Sequence, residues 1–163
     1  MNIRPAKPAD LPAILEIYNH EVLHANCTAE YEPRTMAVEE AWYRAHVETG
    51  YPVIVAETED GVIAGWGSLS PYHARVGYRF TGEDSVYIAV EHRGKGLGKK
   101  LLAPLIDEAR RMGLHAIIGA IESGNEASIR LHAGFGFVEA GRVREVIFKF
   151  DRWLDVTYME LML

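Results

Sequence analysis

At 163 residues, with 48% hydrophobic and 25% charged side chains, the chain has the size and composition of one globular domain, 1–163, with a sizeable core. Its net charge of −6 argues against non-specific nucleic-acid binding, but not against an anionic ligand held by local cations. No apolar run approaches the ~20 residues that span a bilayer, and no basic segment precedes an apolar core at the N-terminus. The single cysteine, Cys27, excludes an intrachain disulfide. A cytoplasmic protein with neither a membrane nor a nucleic-acid partner is expected.

Residues 2–4 read as a short first strand. Asp10 is placed to cap a helix reaching His24, with Leu11, Ile14, Leu15, Tyr18 and Val22 on one face. A polar loop with Pro33 covers 25–37, and a second helix is expected over 38–49. Two apolar runs, 53–56 and 62–66, flank Glu59-Asp60-Gly61 as a hairpin. A loop rich in Gly, Pro, Arg and Tyr follows over 70–82. Then come a strand over 84–89, a helix over 96–112, a strand over 115–121 and a short helix over 125–133. The tail, 137–163, alternates enough for two strands around Asp151. Pro104 falls inside the long helix, where it removes a backbone hydrogen bond and is expected to kink it. No repeat or linker is visible.

The most informative stretch joins the strand ending near Ala89 to the helix after it, through Arg93-x-x-Gly96-x-Gly98. Glycines there let successive N–H groups approach oxygen atoms, and a helix N-terminus adds partial positive charge. Arg93, Lys95, Lys99 and Lys100 surround the turn; cations at a helix start oppose its dipole, so a bound anion would account for them. A dinucleotide fingerprint needs G-x-G-x-x-G near a first strand, whereas Gly94-x-Gly96-x-Gly98 lies past mid-chain. A P-loop needs Gly-Lys-Ser/Thr at fixed spacing, and Gly98-Lys99-Lys100 fails it. The remaining readings are the pyrophosphate loop of an acyl-CoA transferase and an ordinary glycine loop on a basic helix start.

A second motif strengthens the first of these. Asn125, Ser128, Leu131, Gly136 and Phe137 carry the spacing Asn-x-x-Ser-x-x-Leu…Gly-Phe. Together with Arg93, Gly96 and Gly98, these residues resemble the GCN5-related N-acetyltransferase (GNAT) family over nearly the whole chain. The phosphinothricin and methionine-sulfone acetyltransferase branch is the nearest, on Ile17-Tyr18-Asn19, Gly50-Tyr51-Pro52-Val53, Glu83-Asp84-Ser85-Val86-Tyr87, Ser128-Ile129-Arg130-Leu131-His132 and Lys149-Phe150-Asp151-Arg152-Trp153-Leu154-Asp155. The resemblance implies an α/β (α+β) GNAT fold: a central, mixed, mostly antiparallel, twisted sheet of about seven strands flanked by about four helices. It also implies acetyl-CoA as cosubstrate, no metal, a small-molecule amine as acceptor and a homodimer.

Carried onto this chain, the resemblance gives each residue a role. Val86, Tyr87 and Ile88 would pair with the pantetheine arm as a false strand. Arg93, Gly94, Lys95, Gly96, Leu97, Gly98 and Lys99 would hold the pyrophosphate, with Asn125 and Ser128 also at the cofactor. Glu83 is the leading general base, since burial would raise a carboxylate toward neutrality. Its neighbour Asp84 should face the other way, as adjacent strand residues do. His132 stands where many members have tyrosine, and is read as an acid for the leaving thiolate, a cofactor contact or a packed helix residue. Tyr31, Arg75, Val76, Gly77 and Tyr78, with Glu83, form the candidate acceptor site; arginine suits a carboxylate or oxidised phosphorus or sulfur group. Relatives often carry arginine near His73, a departure that bears on the acceptor. No metal-ligand spacing and no Cys–His or Ser–His–Asp arrangement is readable, which favours direct transfer over an acetyl-enzyme. The competing functions are a protein N-terminal or lysine acetyltransferase and a non-catalytic acyl-CoA-binding module.

Overall fold

The computed structural model describes every residue, Met1–Leu163. Seven strands form one sheet: β1 (Asn2–Pro5), β2 (Val53–Glu57), β3 (Ile63–Pro71), β4 (Thr81–Ile88), β5 (Ala116–Glu122), β6 (Val138–Lys149) and β7 (Arg152–Met162). Four α-helices complete the fold: α1 (Leu11–His24), α2 (Met36–Thr49), α3 (Leu97–Arg111) and α4 (Glu126–Ala133). The sheet order is β1-β2-β3-β4-β5-β7-β6. Every neighbouring pair is antiparallel except β4 and β5, the pair joined by the α3 crossover that parallel strands require.

The helices divide the two faces of the sheet between them. Leu102, Leu105, Ile106 and Ala109 of α3 pack with Leu69, Ile117, Ile121 and Met159. A Cβ at Gly67 would stand 2.9 Å from Leu105 Cδ1, so the bare backbone of β3 lets α3 lie close. On the opposite face, Ile14, Ile17, Tyr18 and Val22 of α1 pack with Val53, Val55 and Trp66. Trp66 stacks with Tyr18, Trp42 and Tyr87, placing both of these tryptophans in packing on the α1–α2 side.

The structure departs from sequence expectation in three places. Asp10 does not cap α1. Its carboxylate accepts from the Lys7 N–H and from the Arg4 guanidinium, both at 2.7 Å, closing a 3-10 turn over Pro8–Asp10 instead. The loop expected over 70–82 is shorter, because the ladder continues to Pro71 opposite Gly82. Pro104 does not end α3; Leu101, Leu102 and Leu105 around it are fully buried, and that packing offsets the missing bond. No helix is long and apolar enough to cross a membrane.

Candidate active site

β4 and β5 pair over Thr81–Glu83 and Ala116–Ile118, and then part. Asp84 and Gly119 are the first residues beyond the last pair. From there a groove of about 640 Å³ opens between the strands. Its walls include Val86, Tyr87 and Ile88 from β4, Gly94, Gly96, Gly98 and Lys99 from the glycine turn, and Asn125 and Ser128 from the start of α4. These residues are distant in sequence, and the parting of two parallel strands brings them to one cleft. The separated strand edges leave backbone donors and acceptors facing the groove, the arrangement an extended amide-bearing ligand completes.

The glycines of the turn act differently from one another. Gly94 and Gly96 adopt φ of +72° and +77°, with nothing near a would-be Cβ, so they shape the turn. Gly98 is a packing residue: a Cβ there would stand 2.9 Å from Leu131 Cδ2 of α4. Leu97 opens α3 with its side chain in the core. The Lys95 ammonium turns back to the Glu91 carbonyl at 2.7 Å and is not among the groove walls.

Arg93 reaches the groove, but its guanidinium is already engaged. Nη2 pairs with the buried Glu21 of α1, and Nε donates to the Ile88 carbonyl at 3.1 Å. Sequence reasoning missed Glu21, whose one signal was a carboxylate on the apolar face of α1. Cys27 also donates to Glu21, at 3.2 Å. Burial, followed by the Glu21 charge, pushes the Cys27 thiol up to about 12. It therefore stays protonated and is a poor nucleophile at neutral pH.

Asn125 is the N-cap of α4, its side-chain oxygen accepting from Ser128 N–H at 3.1 Å. Seven residues on, His132 is 4% exposed. Its Nδ1 lies 2.8 Å from the Ser128 carbonyl, and its Nε2 lies 2.9 Å from Asp84 Oδ2. A carbonyl can only accept, so Nδ1 carries a proton and donates it. Burial alone would lower the pKa of His132, but the hydrogen bond and charge of Asp84, with the Ser128 carbonyl, hold it above the ordinary histidine value. Both ring nitrogens are thus committed inside the protein. His132 forms part of the groove wall and ties α4 to β4, so its readings as acid, cofactor contact or packed helix residue all start from an imidazole held at both nitrogens.

Glu83 and Asp84 face opposite sides of the sheet. Asp84 points to α4, and its Oδ1 is buried without a partner. Glu83, opposite Ser70 on β3 and Ile118 on β5, is half-buried on the α1–α2 side. Burial, and then the Asp84 charge, raise the Glu83 carboxyl above its ordinary range.

The candidate acceptor residues are only partly gathered. Arg75, Val76, Gly77 and Tyr78 form an exposed 3-10 turn before β4. Tyr31 lies on the separate α1–α2 loop, its hydroxyl donating to the Phe148 carbonyl. Lys149, which sequence reasoning did not single out as a site residue, holds the same loop. The residue is 2% exposed, and its ammonium donates to the carbonyls of Ala25 and Thr28, at 2.8 and 2.9 Å, and to Thr28 Oγ1 at 3.1 Å. No group of three or more His, Cys, Asp or Glu is gathered as a metal site.

Comparison with known proteins gives the family and the fold. The family model described as Acetyltransferase (GNAT) family matches residues 12–137. An L-methionine sulfoximine/L-methionine sulfone acetyltransferase of Salmonella typhimurium is 50% identical, covering 100% of this chain and 95% of that protein. A phosphinothricin N-acetyltransferase of Alcaligenes faecalis is 40% identical over 97% of this chain and 80% of its own length. Among solved structures, yncA of Salmonella typhimurium, with its cofactor acetyl-CoA, superposes with a TM-score of 0.98 at 48% identity, covering 100% of this chain and 94% of that one. A ribosomal-protein-alanine N-acetyltransferase from Brucella melitensis gives 0.97 at 42% identity, covering 100% of both chains.

Proposed function

Because the chain belongs to the GNAT family of acetyltransferases, we propose that it transfers the acetyl group of acetyl-CoA directly to the amino group of a small amino acid, L-methionine sulfone, L-methionine sulfoximine and phosphinothricin being the acceptors of first choice. The observation that carries this reading is the pairing of a groove with a base on its far side. The strands part immediately after Glu83, and the Glu83 carboxyl, raised by burial, stands at that point on the face opposite α3. The acceptor class comes from the names of the relatives.

The groove fits acetyl-CoA, which supplies its acetyl group activated as a thioester. Residues 86–88 offer free strand-edge groups to an amide-bearing arm, and the open backbone of Gly94 and Gly96 offers N–H groups to a pyrophosphate. Glu83 takes a proton from the acceptor ammonium. The free amine forms the new N–C bond as the C–S bond breaks, and the proton that the new amide nitrogen sheds ends on the leaving thiolate. The protonated Cys27 thiol supports transfer without an acetyl-enzyme.

The reading extends to a homodimer working in the cytoplasm, without membrane or nucleic-acid partners. In its support, Val143, Val146, Phe148, Phe150 and Trp153 leave an exposed apolar surface on the β6–β7 hairpin that a second copy would cover. A second acceptor class, a protein N-terminus, is favoured by the relative named for ribosomal-protein alanine. A thiol-release screen separates the two, using methionine sulfone, methionine sulfoximine, phosphinothricin and a peptide with N-terminal alanine. Release confined to the amino acids is expected. Release with the peptide alone would move the assignment to protein acetylation, and release with none would leave an acyl-CoA-binding module.

A further inference from the structure

Residues paired across neighbouring strands share a face of the sheet. Glu83 pairs with Ser70 and Ile118, and two residues beyond Ile118 comes Ala120, which pairs with Tyr158 of β7. Glu83, Ala120 and Tyr158 therefore lie on one face, on β4, β5 and β7. The helices on that face, α1 and α2, cover the β1–β4 half: α1 rests on β3 and β4, and its apolar partners come from β2, β3 and Tyr87 of β4. Ala120 sits in the middle of an interior strand and is nevertheless exposed. It also lines the groove. A small, exposed side chain on the groove wall thus stands on the strand between half-buried Glu83 of β4 and half-buried Tyr158 of β7.

Tyr72 adds a third side chain. Its N–H donates to the Thr81 carbonyl at 3.2 Å, continuing the β3–β4 ladder, and its ring meets Tyr78 edge-on with centroids 5.8 Å apart. Two residues beyond Ser70, Tyr72 lies on the same face as Glu83; burial raises its hydroxyl above the ordinary range, and the charges of Tyr158, Glu83 and Tyr78 add to the effect. The tyrosine hydroxyls that hydrogen-bond within the chain are those of Tyr18, Tyr31 and Tyr43; those of Tyr72 and Tyr158 make no such bond.

We propose that Tyr158, with Tyr72 beside it, is the specificity-determining residue for the acceptor. Its hydroxyl donates to an S=O or P=O oxygen on the acceptor side chain, while the amine lies at Glu83, across Ala120. Tyr158 lies two strand spacings from Glu83, about 9–10 Å where strands pair, and two residues farther along the sheet, a gap of the order of a methionine-sized acceptor with a hydrogen bond at each end. A neutral phenol suits a neutral sulfone, which offers lone pairs and no full charge. The carboxylate is left to the exposed Arg75, whose guanidinium has no partner within the chain. This inference rests on the amino-acid acceptor proposed above.

The test compares L-methionine sulfone with L-methionine for the wild type, Tyr158→Phe and Tyr72→Phe. Wild-type preference for the sulfone is expected. Tyr158→Phe should raise the KM for the sulfone about 10-fold, the loss of one hydrogen bond, while leaving methionine and the KM of acetyl-CoA unchanged. Tyr72→Phe should shift the same ratio by less. Calorimetric titration with acetyl-CoA verifies that each variant is folded. A sulfone-to-methionine ratio unchanged in Tyr158→Phe, with an active wild type, would overturn the role of Tyr158 and leave the amino-acid assignment standing. A wild type that acetylates neither amino acid would overturn both.

Discussion

Asp84 Oδ2 meets His132 Nε2 at 2.9 Å, with 1% and 5% of the two side chains exposed, so that a buried ion pair closes the vertex where β4 and β5 part. The carboxylate that sequence presents as a rival to Glu83 is instead the counter-ion of the histidine on α4. Its function is to hold α4, and with it Asn125 and Ser128, against the strand that bears the candidate base.

Asp84→Asn should therefore destabilise the fold. Breaking a buried pair by removing one partner costs about 3–5 kcal/mol. The pH dependence has a definite sign. The folded His132 titrates above its unfolded value, so the contribution of the pair is complete below the unfolded pKa of ~6.5 and is lost as pH rises through the higher folded value. Urea unfolding of the wild type and Asp84→Asn at pH 6 and pH 9 should show a large gap that narrows at the higher pH. A gap that is constant or widens would contradict an imidazolium–carboxylate pair.

The glycine turn separates shape from packing. Gly98→Val forces Leu131 aside, and overpacking of this kind costs about 1–3 kcal/mol with no ligand present. Gly96→Ala places a side chain at φ of +77° in open space, costing on the order of 1 kcal/mol in backbone strain, and its larger effect should be on acetyl-CoA affinity. Thermal melts and calorimetric titration read the two effects. Equal loss of affinity at unchanged stability in both variants would show that Gly98, too, serves the ligand.

Lys149→Met keeps most of the stem and removes three hydrogen bonds to the α1–α2 loop. Two carbonyls are left unpaired, at about 1–3 kcal/mol each when a buried group loses its partner. Amide hydrogen exchange across residues 25–35 should quicken, while exchange in α3 stays as in the wild type. Unchanged exchange in the loop would show that Tyr31 and its bond to Phe148 suffice to hold it.

Much of the site is legible in local pattern. The Arg93-x-x-Gly96-x-Gly98 turn marks the start of α3, Asn125 caps α4, and alternation along a strand separates Glu83 from Asp84. The rest depends on contacts that no local pattern encodes. Glu21 and Arg93 are 72 positions apart, and Asp84 and His132 are 48 apart. The carboxylate partner of Arg93, and the Asp84 contact that bears on whether His132 is an acid, a cofactor contact or a packed helix residue, are therefore out of reach of the local pattern. Asp10 fails for the opposite reason. Its competitors are local, since Arg4 and Lys7 reach the carboxylate before the helix N-terminus can use it. Tyr158 has no motif at all; only the register of β5 with β7 places it on the face of Glu83.

The most direct test of Glu83 as the base that drives direct transfer is the pH profile of kcat/KM for L-methionine sulfone in the wild type and in Glu83→Gln. The variant keeps the shape and loses the proton acceptor, so kcat should fall by about 10²–10⁴-fold, with acetyl-CoA affinity unchanged. In the wild type, activity should fall with decreasing pH along a limb set by a carboxyl above the ordinary range, because the base works only when ionised. That limb should be absent from the variant. Near-wild-type turnover in Glu83→Gln with the acid limb retained would contradict the account and place the proton acceptor elsewhere.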